Sequence, residues 1–378
     1  MKDNTKQAVA KEPFVRIAAR KEDSCKPLTA VAIRVAALVG ALLVCGLFIR
    51  LAANISVFEA FAAMLKGTFG QFGNATSMKI KCWDSAIYAA RLLCISVALA
   101  PAFKMRFWNI GAEGQIVMGA LITAIVMRDC TSLSSPLLYT LMILGCIAGG
   151  AIWGIVPAVF KAKWGTNETL FTLMMNYIAM CIVSYFSYEW SVPKGSGHIG
   201  VINDATEAGW LPAIGGKAYL CNILIVVVLT AVMYVYLRYS KHGYEISVVG
   251  ESENTAKYIG INVKKVIIRT MILSGALCGI AGFLLVSGTD HTVNRDTAGG
   301  RGFTAIMVSW LAHFDPLYMI LTSLLLVFLE RGAVEISTTF GLNESFSEII
   351  TGIIIFFIIG SEFFLNYQLK FREKEASK

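Results

Sequence analysis

Long apolar runs follow one another along this 378-residue chain with only short polar breaks between them, which leaves few ways for it to fold. A helix rises about 1.5 Å per residue and the hydrocarbon core of a bilayer is about 30 Å thick, so about 20 mostly apolar residues make one crossing. Residues 31–51, 85–103, 110–127, 136–160, 170–188, 219–239, 266–287 and 349–367 fit that requirement. Between residues 302 and 332 the run is interrupted at His313, Phe314, Asp315 and Pro316. Proline lacks a backbone donor and clashes with the preceding turn, so this region predicts a short crossing at 302–313 and another at 317–331. Hydrophobic residues make up 56% of the chain and charged residues 15%, and no polar stretch between the runs is long enough to build a core of its own.

Orientation follows from lysine and arginine, which stay on the cytoplasmic side of short loops. Lys104 and Arg106, then Lys161 and Lys163, then Arg238, Lys241, Lys257, Lys264, Lys265 and Arg269, and finally Lys370, Arg372, Lys374 and Lys378 form four basic groups. All four fall inside if the N-terminus is cytoplasmic and the broken region counts as two spans. The expectation is an all-α integral membrane protein of about ten transmembrane helices with both termini cytoplasmic. Residues 1–29 read as a disordered cytoplasmic tail, 30–368 as one transmembrane domain with a polar loop at 239–266, and 369–378 as a second cytoplasmic tail. The run at 31–51 is longer than the apolar part of a signal peptide and has no clear cleavage site behind it, so it reads as an anchor.

The net charge of +8 flanks the spans instead of gathering on one aromatic-interleaved face, so it reads as topology charge and not as a nucleic-acid surface. Nine cysteines lie apart from one another. Cys45, Cys94, Cys146, Cys181 and Cys278 sit inside apolar runs and read as small core residues, not as a disulfide or metal framework.

An internal echo supports the span count. Gly165-Thr-Asn167-Glu168-Thr-Leu-Phe-Thr172 resembles Gly341-Leu-Asn343-Glu344-Ser-Phe-Ser-Glu348, and each introduces a long apolar helix. Upstream, Gly114 opens a span that ends before Pro136, as Gly302 opens one that ends before Pro316. Five crossings separate the matched spans, so the chain reads as two inverted five-helix repeats with some helices broken, a plan familiar in transporters.

The sharpest local feature is Trp108-Asn109-Ile110-Gly111-Ala112-Glu113-Gly114-Gln115, a polar stretch between two apolar spans. Polar groups at membrane depth are costly unless they find partners or line a wet cavity, so Asn109, Glu113 and Gln115 mark either a site or gate, or a set of caps that glue helices together. Asn167 and Glu168 stand at the start of a later span, where capping and solute contact are both open. Asn176, about two and a half turns further on, is too deep for a cap. In the polar loop, residues 250–263 read as a short glycine-bounded helix suited to docking on another protein, or as an ordinary solvated loop. No phosphate-binding glycine loop, His-Glu-x-x-His, Gly-x-Ser-x-Gly or metal-spaced Cys/His cluster occurs, and His198, His242, His291 and His313 lie far apart, which argues against ATP binding, metal chemistry and hydrolysis by this chain.

From about residue 85 to 357 the chain resembles the permease subunits of bacterial ABC importers in the ribose and branched-chain amino acid class. Phe107 to Gln115, Thr166-Asn167-Glu168 with Thr172 to Tyr177, and Gly299-Gly-Arg-Gly302-Phe303 look like the nucleoside, or simple sugar, branch of that class. The resemblance implies a transport subunit with no cofactor. Its implied partners are a second homologous permease, a cytoplasmic ATP-binding subunit and an extracytoplasmic lipoprotein that delivers solute, all at the bacterial plasma membrane. It further implies that Gly250, Glu251, Ala256, Gly260 and Val263 belong to a helix coupled to the ATPase, and that Asn109, Glu113 and Asn176 line the route; Gln115, Asn167 and Glu168 are added as candidates for it by their polar character. The alternative is an ion-coupled secondary transporter, for which Arg91 and Glu113 are the candidate relay residues.

Overall fold

The computed structural model describes residues 15–19, 27–197, 199–217 and 219–371. Most of the two expected tails lies outside these residues. Their described part includes a short antiparallel strand pair, β1 (Val15–Ala19) with β2 (Tyr367–Phe371), in which Val15 faces Phe371. Five residues of a stretch expected to be disordered are therefore paired, and the two ends of the described chain lie side by side.

Helices make up nearly all the remaining regular structure, and each predicted run has its helix. In order these are α1 (Pro27–Ala53), α2 (Val57–Phe69), α3 (Ala75–Lys104), α4 (Ala112–Asp129), α5 (Ser135–Trp164), α6 (Glu168–Trp190), α7 (Leu220–Tyr239), α8 (Lys241–Glu251), α9 (Glu253–Tyr258), α10 (Val263–Leu285), α11 (Arg301–Leu311), α12 (Pro316–Phe340) and α13 (Glu344–Asn366). A π-helical turn, Val286–Asp290, extends α10. Among the described residues, seven helices are long and apolar enough to cross a membrane: α1, α3, α5, α6, α7, α10 and α12. Helix α4 carries Glu113, Arg128 and Asp129 within its 18 residues, and α13 supplies a shorter apolar stretch, Ser345–Ser361. The 11 residues of α11 rise only about 16 Å, half of the hydrocarbon thickness. Its N-terminus must therefore end inside the protein.

Two compact units divide the chain. In the unit formed by Met1–Gly67 and Leu329–Lys378, α1 runs along α13, with Phe48 stacked on Phe346 at 4.9 Å and the Cys45 thiol 3.7 Å from the Ile350 carbonyl. Lys66 on α2 meets Glu335 at 3.8 Å. In the unit Thr68–Phe328, α3 and α10 form the centre: 83% and 78% of their apolar windows are buried, against 28% for α6 and α7. Val227, Val228, Val232 and Val235 of α7 point outward, as expected of a lipid-facing surface.

Helices α4, α5 and α10 approach to backbone contact. A Cβ at Gly150 would collide with the Gly275 carbonyl, and one at Gly279 with the Cys146 carbonyl. Helix association in lipid lacks a hydrophobic drive, so small residues that allow such contact carry much of the packing. Cys45, Cys94, Cys146 and Cys278 are buried as expected, but Cys181 is exposed on α6, which corrects its reading as a core residue. Apolar position alone does not distinguish core from lipid face in such a chain.

Two helix junctions share one geometry. Gly165 leaves α5 with a left-handed backbone (φ +65), and Asn167 caps α6 by accepting from the Leu170 amide at 3.2 Å. Gly341 follows α12 with φ +65, and α13 starts three residues later at Glu344. Each junction is a three-residue turn in which an αL glycine ends one helix.

The packing gives a direct stability prediction. Gly279→Val should lower the stability of the purified protein by about 2 kcal/mol or more, because the neighbour it meets is backbone and cannot rotate away. Gly352→Ala, with open space around it, should leave the melting temperature unchanged. Equal melting temperatures for both variants would contradict the close approach of α5 and α10.

Candidate functional site at two facing helix ends

The polar stretch noted in the sequence forms the break between α3 and α4. Proline at position 101 lies in the last turn of α3, the helix ends at Lys104, and residues 105–111 run as irregular backbone before α4 begins. Irregular backbone at membrane depth needs partners for its amides and carbonyls. Side chains supply them. Asn109 accepts from the Gly111 amide at 3.0 Å and exchanges hydrogen bonds of 3.3 Å with Gln115, while its amide nitrogen also lies 3.4 Å from the Ser274 hydroxyl of α10. Thr172 of α6 accepts from the Ile110 amide at 3.2 Å. Asn176 clamps both sides of the break, accepting from the Gly114 amide at 2.8 Å and donating to the Ile110 carbonyl at 2.9 Å. Asn109, Gln115, Thr172, Asn176 and Ser274 are all buried.

Glu113 points the other way. Its Oε1 accepts from the Gly302 amide at 2.7 Å, at the N-terminus of α11. Free amides and the positive end of the helix dipole make that terminus a favourable seat for a carboxylate, and more so out of water. Gly302 is small for a reason: a Cβ there would stand 2.9 Å from the Glu113 amide nitrogen. The N-termini of two broken helices thus face each other, and Glu113, 1% exposed, belongs to the first turn of one and caps the other.

Aromatic contacts and an ion pair flank this centre on its two sides. Toward the basic loops, Trp108 lies 5.2 Å from Trp310, and Phe103 stacks on Phe314 at 6.1 Å. Toward the opposite end, Arg91 of α3 pairs with Asp290 of the π-turn at 3.6 Å. Beyond it the loop at 199–211 crosses the ends of α4, α5 and α10. Asn203 donates to the Met127 carbonyl, Tyr139 to the Trp210 carbonyl and Ser287 to the Gly209 carbonyl, and Trp210 stacks on His291 at 3.8 Å.

Four of the six residues placed along a route by the sequence, Asn109, Glu113, Gln115 and Asn176, therefore meet in one buried centre. Asn167 and Glu168 stand apart from it. Asn167 is exposed and caps α6, while Glu168 pairs with Lys161 of α5 at 2.8 Å. The sequence reading missed Thr172, Ser274 and Gly302 as members of this centre. Thr172 lies four residues before Asn176 and so shares its helix face, a signal that was available. Ser274 stands alone in an apolar run, and only its contact with α10's neighbours reveals it.

The polar loop is more ordered than one short helix. Helix α8 begins at Lys241 and ends with Gly250 and Glu251; Ser252 caps the six-residue α9, and Gly260 (φ +88) turns the chain into α10 at Val263. Gly250 is buried against the carbonyl of Lys104, where a Cβ would collide. Ala256 and Val263 are buried, whereas Glu251 and Gly260 are exposed and Tyr258 is 93% exposed. The outcome is a firmly seated elbow with an aromatic tip.

Sequence comparison relates this chain to known proteins. Residues 83–359 match the family described as branched-chain amino acid transport system / permease component. A glucose ABC transporter permease protein of Haloferax volcanii is 28% identical over 330 residues, covering 84% of each chain. A guanosine ABC transporter permease protein of Bacillus subtilis is 28% identical over 343 residues, 89% of this chain and 95% of that one. A nucleoside ABC transporter permease protein of Lactococcus lactis is 25% identical over 276 residues, 71% and 76% of the two chains. With the family match covering the broken helices and the elbow alike, this chain belongs to the branched-chain amino acid transport system permease family, as a multi-span membrane subunit of an ABC transporter whose part is transport and not catalysis.

Proposed function

We propose that the chain is one permease of a bacterial plasma-membrane importer and that it carries nucleosides, or a related sugar, into the cell. The observation that carries the substrate class is the likeness to guanosine and nucleoside permeases along most of the chain. The glucose permease relative is what keeps a sugar as the second reading. A nucleoside is neutral, and a route for it needs hydrogen-bonding amides and carboxylates with aromatic surfaces nearby, without a strong field of one sign. Asn109, Gln115, Asn176 and Glu113, flanked by Trp108 and Trp310, are side chains of that kind.

An ABC permease works with an ATP-binding subunit. In the proposed assembly a second homologous permease completes the pair, and an extracytoplasmic lipoprotein delivers the solute. The elbow at α8–α9 meets the ATPase, and the bundle rocks so that the buried centre opens alternately to each side, with Asn167 and Glu168 at the cytoplasmic end of the route. Ten crossings in two inverted sets of five fit this reading. Three features support it: the matched glycine turns at Gly165 and Gly341, the facing N-termini of α4 and α11, and the packing of α3 on α11 as α10 packs on α4. The side-by-side chain ends favour an even number of crossings. An ion-coupled mechanism is not favoured, because Arg91 is paired with Asp290 and Glu113 is engaged by α11 amides, and because the family is that of ABC permeases.

Two outcomes are expected. Vesicles carrying the whole complex should show ATP-dependent uptake of labelled guanosine that excess unlabelled nucleoside suppresses and excess glucose does not; the reverse competition would assign the sugar reading. Glu113→Gln keeps an acceptor oxygen for the Gly302 amide but removes the charge at the α11 terminus. It should leave assembly intact and lower uptake by about tenfold, a change of about 1.4 kcal/mol. Parallel loss of expression and uptake would give Glu113 a purely structural role.

A further inference from the structure

One ion pair lies where the elbow joins the central helices. Arg269 of α10 donates from Nη2 to Oε2 of Glu245 on α8 at 2.8 Å, and both side chains are largely buried, with 27% and 17% exposure. The Tyr236 hydroxyl of α7 accepts a hydrogen bond from the same guanidinium. The Nε of Arg269 is buried with no partner among the described residues, so the Glu245 carboxylate is its principal counter-charge. Three elements, α7, α8 and α10, thus converge on one guanidinium. By contrast, the Lys257–Glu253 pair of α9 is exposed and joins residues of the same short helix, so it links nothing.

What α10 carries beyond this point matters. Five residues on from Arg269, about 7.5 Å along a rigid helix, Ser274 touches Asn109 in the buried centre. One residue further, Gly275 meets Gly150 of α5 backbone to backbone. A displacement of α8 that reaches Arg269 therefore reaches the break between α3 and α4 without crossing any flexible segment. On its other side α8 rests on α3, where Gly250 abuts the Lys104 carbonyl. That contact resists a push but cannot transmit a pull. The ion pair holds in both directions.

We propose that the Arg269–Glu245 pair is the coupling joint of this permease, the positioning contact through which movement of the α8–α9 elbow is transferred to α10 and on to the Asn109 centre. This rests on the importer reading given above. It assigns the work to two residues outside the segment 250–263, and it predicts that the charge pairing, not the identity of either residue, is what matters.

The test measures ATP hydrolysis and ATP-dependent guanosine uptake in the same vesicles bearing the complete complex. Arg269→Gln and Glu245→Gln should each retain ATP hydrolysis while the uptake per ATP falls by about tenfold. The exchanged pair, Arg269→Glu with Glu245→Arg, should recover at least about half of the wild-type ratio, as a double-mutant cycle requires of residues that act on each other. Arg269→Lys, which keeps one charge but cannot reach two partners with a planar fork, should give an intermediate ratio and serves if the exchanged pair fails to assemble. Lys257→Gln should leave the ratio unchanged. Uptake and hydrolysis falling together, or a wild-type ratio in Arg269→Gln, would overturn the joint alone. Absence of ATP-dependent uptake by the wild-type complex would overturn the importer reading and the joint with it.

Discussion

The carboxylate of Glu113, seated against the Gly302 amide, is the contact on which the centre of this protein depends. A bilayer offers no water to an unpaired backbone group, so two helices that begin at mid-depth would each leave free amides in a dry interior. Bringing the two N-termini together would place positive ends face to face. The Glu113 side chain between them accepts from the Gly302 amide, and the absence of a Cβ at Gly302 lets it sit close. Asn109, Asn176 and Thr172 satisfy the remaining groups of the irregular segment.

Around this centre the protein is built unevenly. Helices α4, α5 and α10 touch through glycines at backbone distance and behave as one block, whereas α3 meets α11 through lighter contacts such as the Ser309 hydroxyl on the Ser96 carbonyl. A stiff block beside a broken segment concentrates motion at the break. The elbow at α8–α9 is attached to the stiff block through α10. In the proposed importer that attachment would give the ATP-driven partner a grip on the α4–α5–α10 block.

Much of the fold was legible because lipid imposes a strict rule on sequence. Residue runs of crossing length became helices, and the pairing of aspartate with proline at 315–316 located the start of α12. Asn109, Glu113, Gln115 and Asn176 stood out because polar groups in apolar runs demand an explanation, while Asn167 proved to be the cap its position allowed. Contacts between distant residues were not legible. Ser274 and Gly302 gain their roles only from residues 165 and 189 positions away in sequence, and Arg269 reads in the sequence as one of a basic group marking the cytoplasmic side, with nothing to pair it with Glu245. The short α11, Arg301–Leu311, was legible as well, because Asp315-Pro316 ends its run and the glycines at 299 and 300 precede it. Cys181 shows the remaining weakness, for an apolar run has both a lipid face and a core face.

The central claim is that the meeting point of α4 and α11 is the part of the permease that opens. Cryo-electron microscopy of the whole complex, once without nucleotide and once locked with a non-hydrolysable ATP analogue, addresses it directly. The account predicts that the Glu113 to Gly302 contact, 2.7 Å here, breaks in one of the two states and leaves Asn109 or Asn176 facing an aqueous cavity. An intact contact with both asparagines buried in both states, and a solute path elsewhere, would contradict it.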